Sequence, residues 1–316
     1  MNYERFEIVH ILFRADSSSV IGTGHIMRDL VLAAQMRKDN PYAEIIFAAQ
    51  ELEGNINHKI LEAGYQLIPL HSDAKEELLS VLDSKHIEML IIDHYGIDHE
   101  YESFIKKNSK AKILVFDDNY KKHDCDILLN HNIYADPKKY KDLVPPECEL
   151  RCGEKYTLLR DEFLKETKKQ SKKKKKKVKQ LLVAMGGADT KNLNIKILKV
   201  LKNFKKIKVD VVTTTANKNL NELKDYVKEK KWIQLHVNSD KVAKLMRNSD
   251  FAIVTPSVTL NEVSFMGLPF IAIKTASNQN DMYDFLKKKK YPTLKKFDKK
   301  DLQKHLSAML KKLDNE

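Results

Sequence analysis

Nothing in this 316-residue chain approaches the run of about 18 uncharged apolar residues that a membrane-spanning helix needs. Its longest apolar stretches are strand-sized, such as Ala252–Val254 and Phe270–Ile273. The opening lacks a basic segment followed by an unbroken apolar one, because Glu4, Arg5, Glu7 and Arg14 interrupt it, so no secretory signal is expected. Cysteine is scarce. Cys125, Cys148 and Cys152 form no C-x-x-C pair, which argues against a disulfide frame or a zinc site and for reduced thiols in a cytoplasmic protein. G-x-G-x-x-G and the P-loop lysine are both missing, which excludes the standard dinucleotide and Walker sites. H-x-H and H-E-x-x-H are also absent, and no repeat of 20–50 residues is evident.

What is present is enough apolar material, 42% of residues against 32% charged, for two domains of ordinary size. The formal charge of +13 invites a nucleic-acid reading. Nearly half of that excess is the unbroken run Lys172–Lys177, and the rest is lysine spread over helix faces without interleaved aromatics. The composition therefore favours a solvated linker and basic surfaces over a polyanion-binding module, and no nucleic-acid or membrane partner is expected. A basic excess still helps attract an anionic phosphate substrate.

Apolar strands and helical periodicities alternate along the chain. Strands are predicted at Ile8–Ala15, Ile45–Ala48, Gln66–Pro69, Met89–Asp93 and Lys112–Phe116, with helices between them starting at His25–Lys38. Periodicity fades between Asn130 and Arg160. It resumes with strands at Gln180–Ala184, Val209–Thr213, Ile233–His236, Phe251–Val254 and Phe270–Ile273, again separated by helices. The expectation is α/β: two Rossmann-like, doubly wound parallel-sheet domains facing across a cleft. Their expected bounds are 1–165 and 179–316, joined by a lysine-rich linker at 166–178.

In open parallel sheets ligands gather beyond the carboxyl ends of the strands, so the loops there carry the candidates. Gly22-Thr23-Gly24-His25 leads strand one into helix one. Glycines permit close backbone approach, and a helix N-terminus favours both anions and a neutral, base-competent histidine; a plain capping histidine remains the alternative. Met185-Gly186-Gly187-Ala188-Asp189 repeats this arrangement in the second half, as a phosphate cradle or a tight turn. Asp93-His94-Tyr95-Gly96 and Asp117-Asp118-Asn119 follow two strands, and Asp124-Cys125-Asp126 matches a D-x-D pattern, yet the spacing supports no metal. Thr255-Pro256-Ser257 opens a helix containing Glu262, a carboxylate suited to a ribose diol, with a capping role as the alternative.

Taken in order, these segments resemble the GT-B glycosyltransferase superfamily, including the peptidoglycan N-acetylglucosaminyltransferases. Phe13-Arg14-Ala15-Asp16-Ser17, Gly22–Asp29, Ile91–Gly96, Phe116-Asp117-Asp118, Cys125–Asn130, Arg151-Cys152-Gly153 and Leu159–Phe163 carry the resemblance in the first half. Met185-Gly186-Gly187 with Asp189, Asn261-Glu262 and Asn278-Gln279 carry it in the second. Spanning about Leu12 to Leu286, they look most like the UDP-2,4-diacetamido-2,4,6-trideoxy-β-L-altropyranose hydrolases of pseudaminic acid biosynthesis. That resemblance implies an inverting, metal-independent hydrolase, without cofactor, that breaks the bond from sugar C1 to the phosphate oxygen and releases UDP. It implies His25 as the general base, Glu262 as ribose ligand, Gly186 and Gly187 as phosphate contacts, and Tyr95 and Asn278 as sugar or diphosphate contacts. Gly22, Gly24, Arg28, Asp93 and Ser257 complete the expected substrate set. The chain departs from related glycosyltransferases at Pro256, where they usually have glycine. In related folds the last helix crosses back to the first domain, and Leu302–Lys312 would fill that place. A monomer acting on a small UDP-sugar is expected. A UDP-sugar-dependent glycosyltransferase, which needs an acceptor, and a polyanion-binding protein are the alternatives.

Overall fold

The computed structural model describes residues 9–169 and 178–315, so the run Lys172–Lys177 and the centre of the expected linker lie outside the described residues. The chain divides between Leu158 and Leu159 into two compact units.

The first unit contains β1 (His10–Ala15), α1 (Gly24–Asp39), β2 (Glu44–Gln50), α2 (His58–Glu62), β3 (Gln66–Leu70), α3 (Lys75–Ser84), β4 (Met89–Asp93), α4 (His99–Asn108), β5 (Lys112–Phe116), β6 (Ile127–Asn130) and β7 (Glu149–Cys152). Its seven strands run in the order β3-β2-β1-β4-β5-β6-β7, all parallel. Central strands such as Ile11–Ala15 and Leu90–Asp93 are buried along their length, which is why they read as unbroken apolar runs. Two cores result, one on each face. Leu12, Leu90, Ile92 and Ile113 lie in one, and Phe13, Ile26, Phe47 and Ile91 in the other. Asp98 caps α4 by accepting from the Tyr101 N–H at 3.0 Å, and Lys106 and Lys107 occupy its last turn, matching the helix dipole at both ends.

No helix of this unit lies between β5 and β6, and a polar network holds that crossover instead. His123 Nδ1 donates to Glu102 Oε1 at 2.7 Å, the Asp124 N–H donates to Glu102 Oε2 at 2.7 Å, and His123 Nε2 lies 3.6 Å from Asp117 Oδ1. Buried Tyr140 donates to Asp117 Oδ2 at 2.8 Å. Burial pulls the His123 pKa down, but the Asp117 and Glu102 carboxylates outweigh it and lift the pKa to about 9.

The second unit contains α5 (Asp161–Thr167), β8 (Lys179–Ala184), α6 (Leu193–Leu201), β9 (Ile207–Thr213), α7 (Leu220–Val227), β10 (Ile233–Val237), α8 (Val242–Asn248), β11 (Phe251–Val254), α9 (Val258–Phe265), β12 (Phe270–Ile273), α10 (Asn280–Lys288), β13 (Thr293–Leu294) and α11 (Lys299–Asn315). Six parallel strands run β10-β9-β8-β11-β12-β13.

The expected α/β class with two doubly wound parallel sheets is what the structure shows. Three details differ. Strands β6 and β7 lie where the periodicity fades; each has only four residues, and β7 is only partly buried. The first unit ends at Leu158 and not at 165, because α5 packs on α8 and Glu166 pairs with Arg247 at 2.9 Å. The last helix does not leave its own unit: Leu302, Leu306 and Met309 are buried in the second unit's core beside Leu198 and Leu201.

Candidate active site

Both sheets reverse winding at one place, between β1 and β4 in the first unit and between β8 and β11 in the second. In folds of this kind the loops beyond such paired strand ends diverge, and ligands usually bind in the crevice they leave.

In the first unit that crevice is lined by the segment entering α1 and by the end of β4. Gly22 adopts φ +88°, a left-handed conformation that closes a tight turn with Ser18, whose carbonyl accepts the Gly22 N–H at 2.8 Å. Thr23 precedes α1 without a side-chain cap, and no acidic side chain occupies the first turn, so nothing on the helix itself neutralises its positive end. His25, the second residue of α1, is 7% exposed, and its Nδ1 donates to Asp93 Oδ1 at 2.6 Å. A carboxylate only accepts, so this contact, much shorter than the 3.3 Å from Arg28 Nη2 to the same nitrogen, puts the proton on Nδ1 and leaves Nε2 without one. One turn on, Arg28 donates from Nε to Asp93 Oδ2 and from Nη2 to Oδ1, both at 2.5 Å, while its Nη1 lies 3.5 Å from Asp118 Oδ2. Burial pushes the Asp93 carboxyl up, but Arg28 and His25 prevail and hold it below the usual carboxylate range. Tyr95 meets His25 edge-on, ring centroids 4.8 Å apart, and donates to Asp118 at 3.0 Å; burial and the Asp118 charge raise its phenol.

His25, Arg28, Asp93 and Tyr95 thus form one cluster, with Gly22 in the turn before α1 and Gly24 opening that helix. Sequence reasoning left Asp118 out of the site set although it follows β5 directly; strand-end position was the available signal. Also outside that set were Asp29, on α1, and His131, just past β6, both fully enclosed. The D-x-D pair is not a site. Asp124 accepts from Ser103 and Lys106, and Asp126 accepts from the Ile113 N–H, all before β6 starts and at the opposite end of the sheet from His25. Among the described residues Asp16, Asp73 and His94 converge closely enough to suggest a metal. Arg14, 1% exposed, pairs with both carboxylates at 2.8 and 2.6 Å and already supplies the positive charge there.

In the second unit Gly186 turns the chain after β8 with φ +82°. Gly187 follows where a Cβ would come within 2.8 Å of Thr214 Oγ1, while its carbonyl accepts the Thr213 and Thr214 hydroxyls at 3.1 Å. Asp189 caps α6 through the Leu193 and Asn194 N–H groups at 2.7 and 2.9 Å. Ser257 precedes α9 with its hydroxyl 2.9 Å from that of Thr255, and it caps no N–H of the helix. Glu262 is buried on α9, and its Oε1 accepts from Arg160 at 2.9 Å. Burial raises the Glu262 carboxyl and Arg160 opposes that rise. The expected ribose ligand is thus already half engaged inside its own unit. Asn278 lies exposed in a short 3-10 turn after β12, a turn braced by Gln279 Oε1 accepting from the Thr275 N–H at 2.8 Å.

The chain is 41% identical over 281 residues to the UDP-2,4-diacetamido-2,4,6-trideoxy-β-L-altropyranose hydrolase of Campylobacter jejuni, covering 89% of this chain and 97% of that one. It belongs to that hydrolase family. No family model matches. The chain is also 24% identical over 276 residues to the Bacillus subtilis spore coat polysaccharide biosynthesis protein SpsG, covering 86% and 79% of the two chains. Among solved structures, Acinetobacter baumannii MurG superposes with a TM-score of 0.65 at 12% identity, over 96% of this chain and 92% of that one. At that identity the likeness speaks for the fold, and the fold of this member of the hydrolase family is GT-B. Among its described residues no helix is long and apolar enough to cross a membrane.

Proposed function

We propose that this protein hydrolyses UDP-2,4-diacetamido-2,4,6-trideoxy-β-L-altropyranose to the free sugar and UDP, with inversion at C1 and without a metal. The observation that carries the reading is His25 held by Asp93 and Arg28 at the winding reversal of the first sheet, in a chain of this hydrolase family. His25 Nε2 removes a proton from a water whose oxygen bonds to C1. The bond from C1 to the phosphate oxygen breaks, and its electron pair leaves with UDP. UDP is a good enough leaving group to need no general acid, unlike the alkoxides that give glycosidases their second carboxyl group. Asp93 keeps the imidazole in the productive tautomer and balances the imidazolium as it forms. Arg28 neutralises Asp93, and Tyr95 flanks the ring.

For the nucleotide, the Gly186-Gly187 turn offers backbone N–H groups to the diphosphate, with Ser257 and Asn278 as further polar contacts. Glu262, through the oxygen that Arg160 leaves, accepts from the ribose diol. The open turn at Gly22 and Gly24 and the uncapped start of α1 favour negative charge near the scissile bond. The same reading carries a cytoplasmic monomer, checked by cell fractionation and light scattering.

The test is UDP release from this sugar nucleotide in oxygen-18 water with EDTA present and no acceptor. Label in the sugar with unlabelled UDP is expected. Label in UDP, or release only with an added acceptor, overturns the reading.

A further inference from the structure

Asp29 sits one helical turn beyond His25 on α1, next to Arg28, with no exposed surface. No hydrogen-bond donor reaches either of its carboxylate oxygens. Arg28, the cation beside it, has Nε and Nη2 engaged by Asp93 and Nη1 directed to Asp118. An ionised Asp29 would be a bare negative charge in the protein interior beside a second one on Asp93, an arrangement that costs several kcal/mol per ion. Burial, followed by the nearby Asp93 charge, holds the Asp29 carboxyl well above the usual range, while Asp93 is held below it. The two carboxyl groups therefore share their environment unequally, one protonated and one not. A protonated carboxyl is a donor, which accounts for the missing donor at Asp29, and Asp93 lies within side-chain hydrogen-bonding reach of it as the acceptor.

We propose that Asp29 is a positioning residue, a neutral acid that donates its one proton to Asp93 and so lets that carboxylate accept the His25 Nδ1–H without removing it. The proposal rests on His25 being the general base. The groups facing the cluster are Arg28 on α1, Asp93 and Tyr95 at the end of β4, Asp118 after β5 and His131 after β6. Burial and then Arg28 bring the His131 pKa down to about 3, so that ring is neutral and adds no charge. With Asp29 donating, the Asp93 carboxylate is less basic, and the imidazolium formed during turnover is less strongly stabilised. Removing that donor strengthens Asp93 as an acceptor, favours the imidazolium in the resting enzyme, and moves the acid limb of the rate profile to higher pH.

Two measurements on the full chain test this. Difference infrared spectroscopy of the substrate-free enzyme at pH 7, wild type against Asp29→Asn, is expected to show a protonated-carboxyl C=O band that the variant lacks. The pH profile of kcat/KM is expected to show the acid limb of Asp29→Ala displaced upward, and the variant therefore about 10- to 100-fold slower on that limb. Asp29→Asn, which keeps an N–H donor but cannot ionise, is expected to recover most of that loss and return the limb toward its original position. Absence of the band, an Asp29→Ala profile like that of wild type, or an Asn variant as impaired as the Ala variant overturns the proposal. The infrared band needs no turnover, so it decides the state of Asp29 even where Asp29→Ala fails to fold. It also decides where oxygen-18 labelling rejects the hydrolase reading.

Discussion

The tautomer of His25 is set at Nδ1 by the shorter of its two contacts, the one to Asp93, so the chemistry at Nε2 depends on Asp93 as much as on the ring. His25→Asn is expected to lower kcat about 10²- to 10⁴-fold, with a melting temperature close to wild type, read by UDP release and calorimetry. Asp93→Asn is expected to do two things at once. It lowers kcat by a comparable factor, and, because buried Arg28 then keeps only the 3.5 Å contact with Asp118, it destabilises the fold by about 3 kcal/mol in a urea titration. In the sequence, position alone pointed to His25, where a glycine loop enters a helix, and to Asp93 and Tyr95, at the end of an apolar strand, while Arg28 entered only through the family resemblance. Asp29 was not legible. Whether a helical aspartate faces water or the interior depends on which side of α1 the sheet covers, and that is a tertiary fact. His131 is hidden for the same reason, since the short strand before it is visible only once β5 pairs with it.

Among the elements, the β5–β6 crossover depends on charge where its neighbours depend on helices. Folded His123 holds its proton to about pH 9, above the ordinary histidine value of 6.5, so it binds protons more tightly folded than unfolded. Its contribution is complete below pH 6.5 and is lost as the pH rises through 9. Thermal stability is therefore expected to fall across that window, and less steeply in His123→Gln, as differential scanning fluorimetry over pH 6–10 would show. The turn after β8 is the other sensitive element. Gly187→Ala brings a methyl group to within 2.8 Å of Thr214 Oγ1 and is expected to cost about 1–3 kcal/mol and weaken UDP binding, measured by urea unfolding and calorimetry. The alternation of strand and helix was readable because the central strands are apolar runs of nearly full burial, while β3 and β10 at the sheet edges are only partly buried. Strands β6 and β7 escaped although β11 and β12 are equally short: β7 carries Glu149 and Arg151 and is only partly buried, and no α-helix on either side of β6 continues the alternation.

For the whole molecule, the boundary expected near residue 165 falls at Leu158 because side-chain pairing decides it. Glu166 with Arg247 and Arg160 with Glu262 commit the preceding segment to the second sheet. Arg160→Ala is accordingly expected to loosen the α5 segment, seen as faster amide hydrogen exchange over 161–167, while exchange in β1 and β4 stays unchanged. The final helix has a further consequence. Since α11 seals the core of its own half with Leu302, Leu306 and Met309, a frameshift that removed those last turns would open that core to water and leave the second unit prey to proteases.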